Sequence, residues 1–340
     1  MSRPRALIRL APALALSGCG GPPWQSSLHP AGPLAGKLAE LIWTFTIVCA
    51  VVWVLVMLAL AWALLRARRP RREEPTLEPD PARERRIWTV IGTATGLTVL
   101  VLIALNVWSY LADKSLAGVE GKEALTIQLT GHQWWWEVTY QDPQPARTLT
   151  TANEIHIPVG RPVKVTLMSG DVIHSFWVPN LTGKTDLIPG QNNQIMLLAD
   201  RPGPYRGQCA EFCGPQHAHM ALLVVADPPD AFQAWWDGQL RPADPPADPL
   251  RQRGRQVLES QPCVMCHTVR GTQAAGKVAP DLTHLASRRT LAAGTLPNNR
   301  GNLAAWIVDP QTIKPGAQMP TMTIPPSDLQ ALLAYLEGLR

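Results

Sequence analysis

Cys209, Cys213, His217 and Met220 fall within one short run, Cys-Ala-Glu-Phe-Cys-Gly-Pro-Gln-His-Ala-His-Met. Thiolate, imidazole and thioether together are soft ligands, the set that suits copper rather than zinc or calcium. One Cys followed by His and Met would describe a single-copper electron-transfer site. The second Cys, four residues after the first, changes that reading. Two thiolates on one tight loop can bridge two copper ions and let them share an electron. Because the charge is shared, the ligands move little on oxidation and the reorganisation barrier is small. The loop needs one more imidazole, and His174 in Asp-Val-Ile-His-Ser-Phe-Trp-Val-Pro is far enough upstream to come from another strand. A zinc knuckle or a buried thiol pair is the competing assignment, against which stands the Met. His219 also lies in the loop and is read as a supporting or surface residue.

A second set of residues carries different chemistry. Cys263 and Cys266 sit in Cys-Val-Met-Cys-His, the attachment motif for a c-type haem, with His267 as the adjacent axial imidazole. Pro280 follows at the distance where small cytochromes c place a proline whose carbonyl accepts the ligand imidazole's other proton, fixing its tautomer and orientation. Lys314-Pro-Gly-Ala-Gln-Met319-Pro resembles a distal loop, with Met319 as the sixth ligand and Met322 as its rival. A His/Met pair raises the haem potential relative to His alone. A redox-active dithiol is the alternative, and it would not need the Met-Pro loop. Trp306 is expected in the core of this unit.

The elements that must position these residues follow from pattern. At 340 residues the chain should hold more than one domain. Its formal net charge of +5 is not a nucleic-acid signature. The arginines cluster in the first ten positions and between Arg66 and Arg86, a membrane pattern, and no basic and aromatic interleaving appears elsewhere. Many of the 13 Trp lie in or beside apolar segments, as interfacial anchors do. Residues 1–18 read as a cleavable export signal: three arginines, then an apolar stretch too short to span a bilayer. Leu41–Leu65 and Ile87–Leu111 are charge-free apolar runs of 25 residues each, more than the ~20 that a spanning helix needs. Eight arginines against five acidic residues between Arg66 and Arg86 put that connection inside and both outer helix ends outside.

Beyond Lys122 the pattern changes to short alternating segments, Ala124–Leu129, Glu154–Pro158, Pro162–Leu167 and Gln194–Leu198, broken by Gly, Pro and Asn. This predicts a β-sandwich or barrel over 122–240, ending in a helical piece, Ala231–Leu240. A Pro-rich stretch at 241–249 predicts a stiff extended linker. Residues 250–340 form a last small unit that closes on an amphipathic helix, Asp328–Leu339, with Leu329, Leu332, Leu333 and Leu336 on one face. Of the six cysteines, Cys49 lies in an apolar helix as a small hydrophobe, and Cys19 closes Leu-Ser-Gly-Cys. None is left for a disulfide framework.

The His174 segment and the Cys209–Met220 loop together resemble the binuclear copper (CuA) domain of subunit II of the haem-copper cytochrome c oxidases. With residues 250–340 added, the resemblance is to a caa-type subunit II carrying a fused cytochrome c domain. It covers nearly all of residues 38–340. The implied fold is a transmembrane helical hairpin at 38–112, a cupredoxin-like Greek-key β-barrel and an all-α class I cytochrome c domain. By the same resemblance Cys209 and Cys213 bridge the coppers. His174 and Met220 complete one metal, and His217 with the backbone carbonyl of Glu211 completes the other. The Glu211 side chain is implied to reach a magnesium shared with subunit I. Gly131-His-Gln-Trp-Trp-Trp-Glu resembles the family's aromatic signature, in which a surface-facing Trp receives the electron, and the matching position is Trp134. The bland alternative is that these Trp anchor the domain at the membrane surface. Lys184-Thr-Asp186 also matches. Cys19 resembles a lipoprotein acceptor, which would make it the lipid-bearing N-terminus, with an ordinary signal as the alternative. One departure stands out: where many relatives carry a Glu before Ile-Trp-Thr, this chain has Arg85, with Glu84 on a different helical face.

The implied function is electron transfer from cytochrome c or another donor, through haem c and the copper pair, to the oxygen-reducing subunit I of a respiratory terminal oxidase. That complex includes subunit III and sits in the bacterial inner membrane with its redox domains on the outer face. Catalysis of oxygen reduction lies outside this chain. A CuA-containing nitric oxide reductase and a membrane-tethered carrier are the other readings. A quinol oxidase subunit would lack the copper ligands.

Overall fold

The computed structural model describes residues 23–68, 80–116 and 125–340. The export signal at 1–18, Cys19 and residues 69–79 of the Arg-rich connection lie outside them. The described chain divides into two compact units, the first being a pair of long helices and the second everything else.

The helical unit consists of α1 (Pro33–Ala67) and α2 (Pro81–Leu116), which extend the two expected apolar runs at both ends. Their most apolar windows have mean hydropathies of 2.8 and 2.1, with none of the window buried. At 1.5 Å of rise per residue each is long enough to cross a bilayer. Without water to satisfy the peptide groups, helices are what such segments must form.

The second unit begins with ten strands: β1 (Leu125–His132), β2 (Trp135–Gln141), β3 (Leu149–Ala152), β4 (Glu154–Pro158), β5 (Val163–Ser169), β6 (His174–Trp177), β7 (Lys184–Leu187), β8 (Asn193–Leu197), β9 (Gly203–Cys209) and β10 (Ala221–Asp227). They form two five-stranded sheets, ordered β3-β2-β1-β5-β8 and β4-β10-β9-β6-β7. The β1–β5 and β4–β10 pairs are parallel and the others antiparallel, so each sheet is mixed. Alternation drives β1: Leu125, Ile127 and Leu129 face inward, and the residues between them are part-exposed. Together with Trp136, Tyr140, Val165, Leu167 and Phe176 they fill one core. Each large side chain buried there contributes roughly 1.5–3 kcal/mol. Helix α3 (Pro229–Leu240) closes this domain with Phe232 and Trp236. The segment before α1 is also tied to the sheets: the Ala31 amide donates to the Asn180 carbonyl at 2.8 Å, and the Asp200 amide to the Ala31 carbonyl at 2.8 Å.

The C-terminal module has α4 (Pro249–Ser260), α5 (Cys263–Cys266), α6 (Arg300–Val308), α7 (Pro310–Ile313) and α8 (Pro326–Leu336) around its own core. The Asp248 side chain caps α4 by accepting from the Arg251 amide at 2.9 Å. Gly254 lets α4 meet α8 backbone to backbone, since a Cβ there would stand 2.0 Å from the Ala331 carbonyl oxygen. The expected face of the closing helix is inward: Leu332, Leu333 and Leu336 are buried and Leu329 packs beside them. Trp306 differs from expectation. It is only half-buried, and Leu303 and Ile307, one helical turn apart, fill the core from α6 instead.

The Pro-rich stretch is extended but is not a bare spacer. The Ala243 amide donates to the Arg270 carbonyl at 2.9 Å. The Arg270 guanidinium in turn donates to the carbonyls of Gln239 at 2.5 Å and Leu240 at 3.2 Å.

Candidate metal centre

Two strands and one loop place the copper candidates. His174 opens β6, and Cys209 closes β9 with Phe176 opposite it in register. The loop from 210 to 220 then returns to β10. Its ends are pinned to the sheet: the Cys209 amide donates to the Met220 carbonyl and the Ala210 amide to the Ser175 carbonyl, both at 2.9 Å.

The donor atoms converge. Cys209 Sγ lies 3.8 Å from Cys213 Sγ and 3.9 Å from His174 Nδ1. Cys213 Sγ lies 3.7 Å from His217 Nδ1 and 3.8 Å from Met220 Sδ. The Glu211 carbonyl oxygen is 3.1 Å from Cys209 Sγ. Two sulfurs at 3.8 Å are far beyond the ~2.05 Å of a disulfide, yet each is in reach of a common metal. His174, Cys209, Cys213 and Met220 are all buried. Buried soft donors brought this close, on a loop fixed at both ends, fit a thiolate-bridged copper pair. His219 points elsewhere, its Nδ1 2.7 Å from the Gln216 side-chain oxygen.

The electrostatics make one thiolate easy to form. The hydrogen bond shared with Cys213, helped by His174 and the Ser175 and Glu211 backbone, draws the Cys209 thiol down to about 3 against its burial. The same contact, together with burial, pushes the Cys213 thiol up. Burial pulls the His174 imidazole down, but Cys209 and Asp171 outweigh it and raise its pKa. His174 Nε2 donates to Asp171 Oδ1 at 2.7 Å, which turns Nδ1 toward the sulfurs. Gly131 is required by the same arrangement: a Cβ there would meet the His174 ring at 2.8 Å.

The haem candidates are similarly ordered. Cys263 and Cys266 are free thiols in α5, and the His267 amide donates to the Cys263 carbonyl at 2.9 Å. His267 Nδ1 donates to the Pro280 carbonyl at 2.7 Å, the bond expected of an axial ligand, which leaves Nε2 for a metal. Burial lowers the pKa of this imidazole, favouring the neutral form that ligates. Met319 packs against the module core, while Met322 does not belong to it. Val264, Leu282, Met319 and Ile324 are only partly buried there, which fits a module with a flat apolar group still to cover.

A family described as the periplasmic domain of cytochrome c oxidase subunit II matches residues 125–227, and the cytochrome c family matches residues 252–340. The cytochrome c oxidase subunit 2 of Alkalihalophilus pseudofirmus is 37% identical over 330 residues, covering 96% of this chain and 94% of the relative. That of Bacillus subtilis is 32% identical over 351 residues, covering 98% and 96%. The chain belongs to the cytochrome c oxidase subunit 2 family. A solved periplasmic domain of subunit II from Bradyrhizobium japonicum is 30% identical, covering 35% of this chain and 95% of that one, with a TM-score of 0.33.

As a subunit 2, the chain is the electron-input subunit of a terminal oxidase and part of an oxidoreductase complex with the haem-copper subunit I. Copper and haem c are the cofactors that its two domains imply. The tethered-carrier and nitric oxide reductase readings give way to this family membership.

One expectation for this subunit 2 needs correction. Trp134 does not face solvent: it is 8% exposed, because Lys314 and Gly316 of the C-terminal module lie over it. Its indole Nε1 donates to the Cys213 carbonyl at 2.9 Å, and Gln133 Nε2 donates to the same oxygen at 2.7 Å. Asp171, Gln133 and Lys314 carry no role in the sequence reading. Asp171 had a signal, three residues before His174 in the quoted segment. Lys314 had none, since its partners lie up to 180 positions away.

Proposed function

We propose that this subunit 2 holds a copper pair on Cys209, Cys213, His174, Met220, His217 and the Glu211 carbonyl, and haem c on Cys263, Cys266, His267 and Met319. Bound there, the two groups supply one-electron chemistry, with charge at the copper site spread over two metals. The chain's contribution is to hold the donors still. The observation that carries the reading is the spacing of the donor atoms, 3.7 to 3.9 Å along the sequence His174–Cys209–Cys213–His217 and Met220. A loop pinned to two strands changes little when the charge on its ligands changes, and this keeps the reorganisation cost low.

Trp134 is the contact through which electrons reach the copper loop, with its indole bonded to the Cys213 carbonyl. The Glu211 carboxylate is turned outward beside Lys184, at 3.5 Å, where it can serve a magnesium shared with subunit I. The helical hairpin anchors the subunit in a bacterial inner membrane with its Arg-rich connection inside, Cys19 carries lipid, and a cytochrome c is the upstream donor. Subunit III completes the assembly.

The test is to purify the complex from membranes and record optical and electron paramagnetic resonance spectra. A mixed-valence dicopper signal and a low-spin haem c should co-purify with oxygen consumption. Cys213→Ser should abolish the dicopper signal and leave the haem c absorbance. Zinc or no metal in the intact chain, or a dicopper signal unchanged in Cys213→Ser, rules the assignment out.

A further inference from the structure

Lys314 is the one buried lysine among the described residues, 2% exposed, and no carboxylate is bonded to its amine. Instead Nζ donates to three backbone carbonyls from three segments: Trp134 at 2.7 Å, His219 at 2.7 Å and Ala292 at 3.1 Å. The first lies between β1 and β2, the second in the copper loop, and the third in the haem module itself. Three acceptors match the three protons of an ammonium. Burying an amine is unfavourable unless it is fully bonded, so the three carbonyls must stay in place around it.

The loop that carries Lys314 is braced. Gln311 Nε2 donates to the carbonyls of Ala317 at 2.7 Å and Met319 at 2.8 Å, and Gln311 Oε1 accepts from the Gly316 amide at 2.9 Å. From the copper side, Gln216 Nε2 reaches the Pro315 carbonyl at 2.8 Å. Gly316 lies against the Trp134 ring, where a Cβ would come within 3.4 Å. Trp134 is in turn bonded to the Cys213 carbonyl. A few hydrogen bonds therefore connect the Met319 loop to the Cys213 loop, and the Lys314 amine joins both to the Trp134 backbone.

We propose that Lys314 is a positioning residue: its bonds to Trp134 and His219 hold the haem module on the copper loop and so set the rate at which electrons cross between them. This rests on the ligand assignment proposed above. It concerns the docking of the two sites, not their ligands, and a buried polar group left without its partners is costly enough to hold them together.

The test uses the whole oxidase complex. Lys314→Met keeps the length of the side chain and removes every donor. It should retain the copper and haem content and both midpoint potentials. Electron transfer from haem c to the copper pair, followed by time-resolved absorbance after flash reduction of the haem, should slow about tenfold or more, the factor that a docking equilibrium loses with roughly 1.4 kcal/mol. Peptides spanning 131–136 and 311–319 should exchange amide hydrogen faster. Lys314→Gln, which keeps two donors, should fall between the two. An unchanged rate or unchanged exchange overturns the proposal. So does a slowed rate accompanied by a shifted potential, because the sites themselves would then set it. If Lys314→Met does not assemble, Lys314→Gln decides by the same criteria. Failure of the ligand assignment would show separately, as a wild-type complex without the dicopper or haem c spectrum.

Discussion

His174 is held by the nitrogen it does not offer to a metal. Asp171 accepts from Nε2 at 2.7 Å and is itself fixed by the amides of Gln133 at 2.6 Å and Val172 at 2.7 Å. Burial would raise the Asp171 pKa, but these bonds to its charged form bring it below the ordinary carboxylate range. A charged, immobile acceptor fixes both the tautomer and the orientation of the ring. Asp171→Ala should therefore weaken copper binding by ~10–100-fold, the usual effect of losing such a support, with every direct donor still present. Competition against a copper chelator measures it, and an unchanged affinity would show that the β6 backbone alone orients the ring. At this scale the sequence is legible where the chemistry is local. Five of the six copper candidates lie within twelve consecutive residues, and both haem thiols with their imidazole lie within five. Asp171 was in view without a role, because residue spacing does not say which carboxylate a turn will bring onto a ring.

The strands show the same division between local pattern and tertiary placement. β1, β4, β5 and β8 coincide with the expected segments to within a few residues, and in β1 and β5 the reason is one buried face alternating with a part-exposed one. β10 does not alternate: six of its seven residues are buried, and a continuous apolar run gives no period to distinguish strand from helix. β9 contains Gly and Pro, and β6 has only four residues, so neither carries a strand signature. The parallel β4–β10 pair also places His156 between two carboxylates, with Asp227 at 2.6 Å on Nδ1 and Glu154 at 3.1 Å on Nε2. Trp235 stacks on the ring at 4.2 Å, and the other Glu154 oxygen accepts from the Arg289 amide at 3.1 Å. Burial alone would lower the His156 pKa, but the two carboxylates outweigh it and raise it. A raised pKa means that the folded chain binds the proton more tightly than the unfolded one. The stabilisation is therefore complete below the unfolded value of ~6.5 and is lost as pH rises through the higher folded value. His156→Gln should melt below the parent in acid, and the gap should narrow on the alkaline side. A gap that widens with pH would mean that the ring is neutral in the folded state.

At the scale of the whole chain, the order of parts is legible and their docking is not. Charge-free runs, alternating segments, a proline stretch and a Cys-x-x-Cys-His motif give anchor, barrel, linker and haem module in sequence. Nothing in them says that the module lies on Trp134, because the contacts join residues as far apart as Thr151 with Arg288, Ala221 with Ala293, and Trp134 with Lys314. That docking has a consequence for which donors can reach the copper loop. If electrons enter at Trp134 as proposed, a soluble haem protein would need its face, and the chain's own module already covers it. The barrel and the module have separate apolar cores, so a subunit ending after Leu240 keeps every copper candidate together with α3. In that shortened subunit an added soluble cytochrome c should reduce the copper pair directly. In the full-length subunit the fused haem should be reduced first and the copper pair only after it. Rapid-mixing absorbance, followed at the haem and copper bands separately, distinguishes the two orders. If the shortened subunit retains its dicopper spectrum and still takes no electrons from the soluble donor, the covering of Trp134 is not what keeps such donors away, and recognition must lie in the module's own surface.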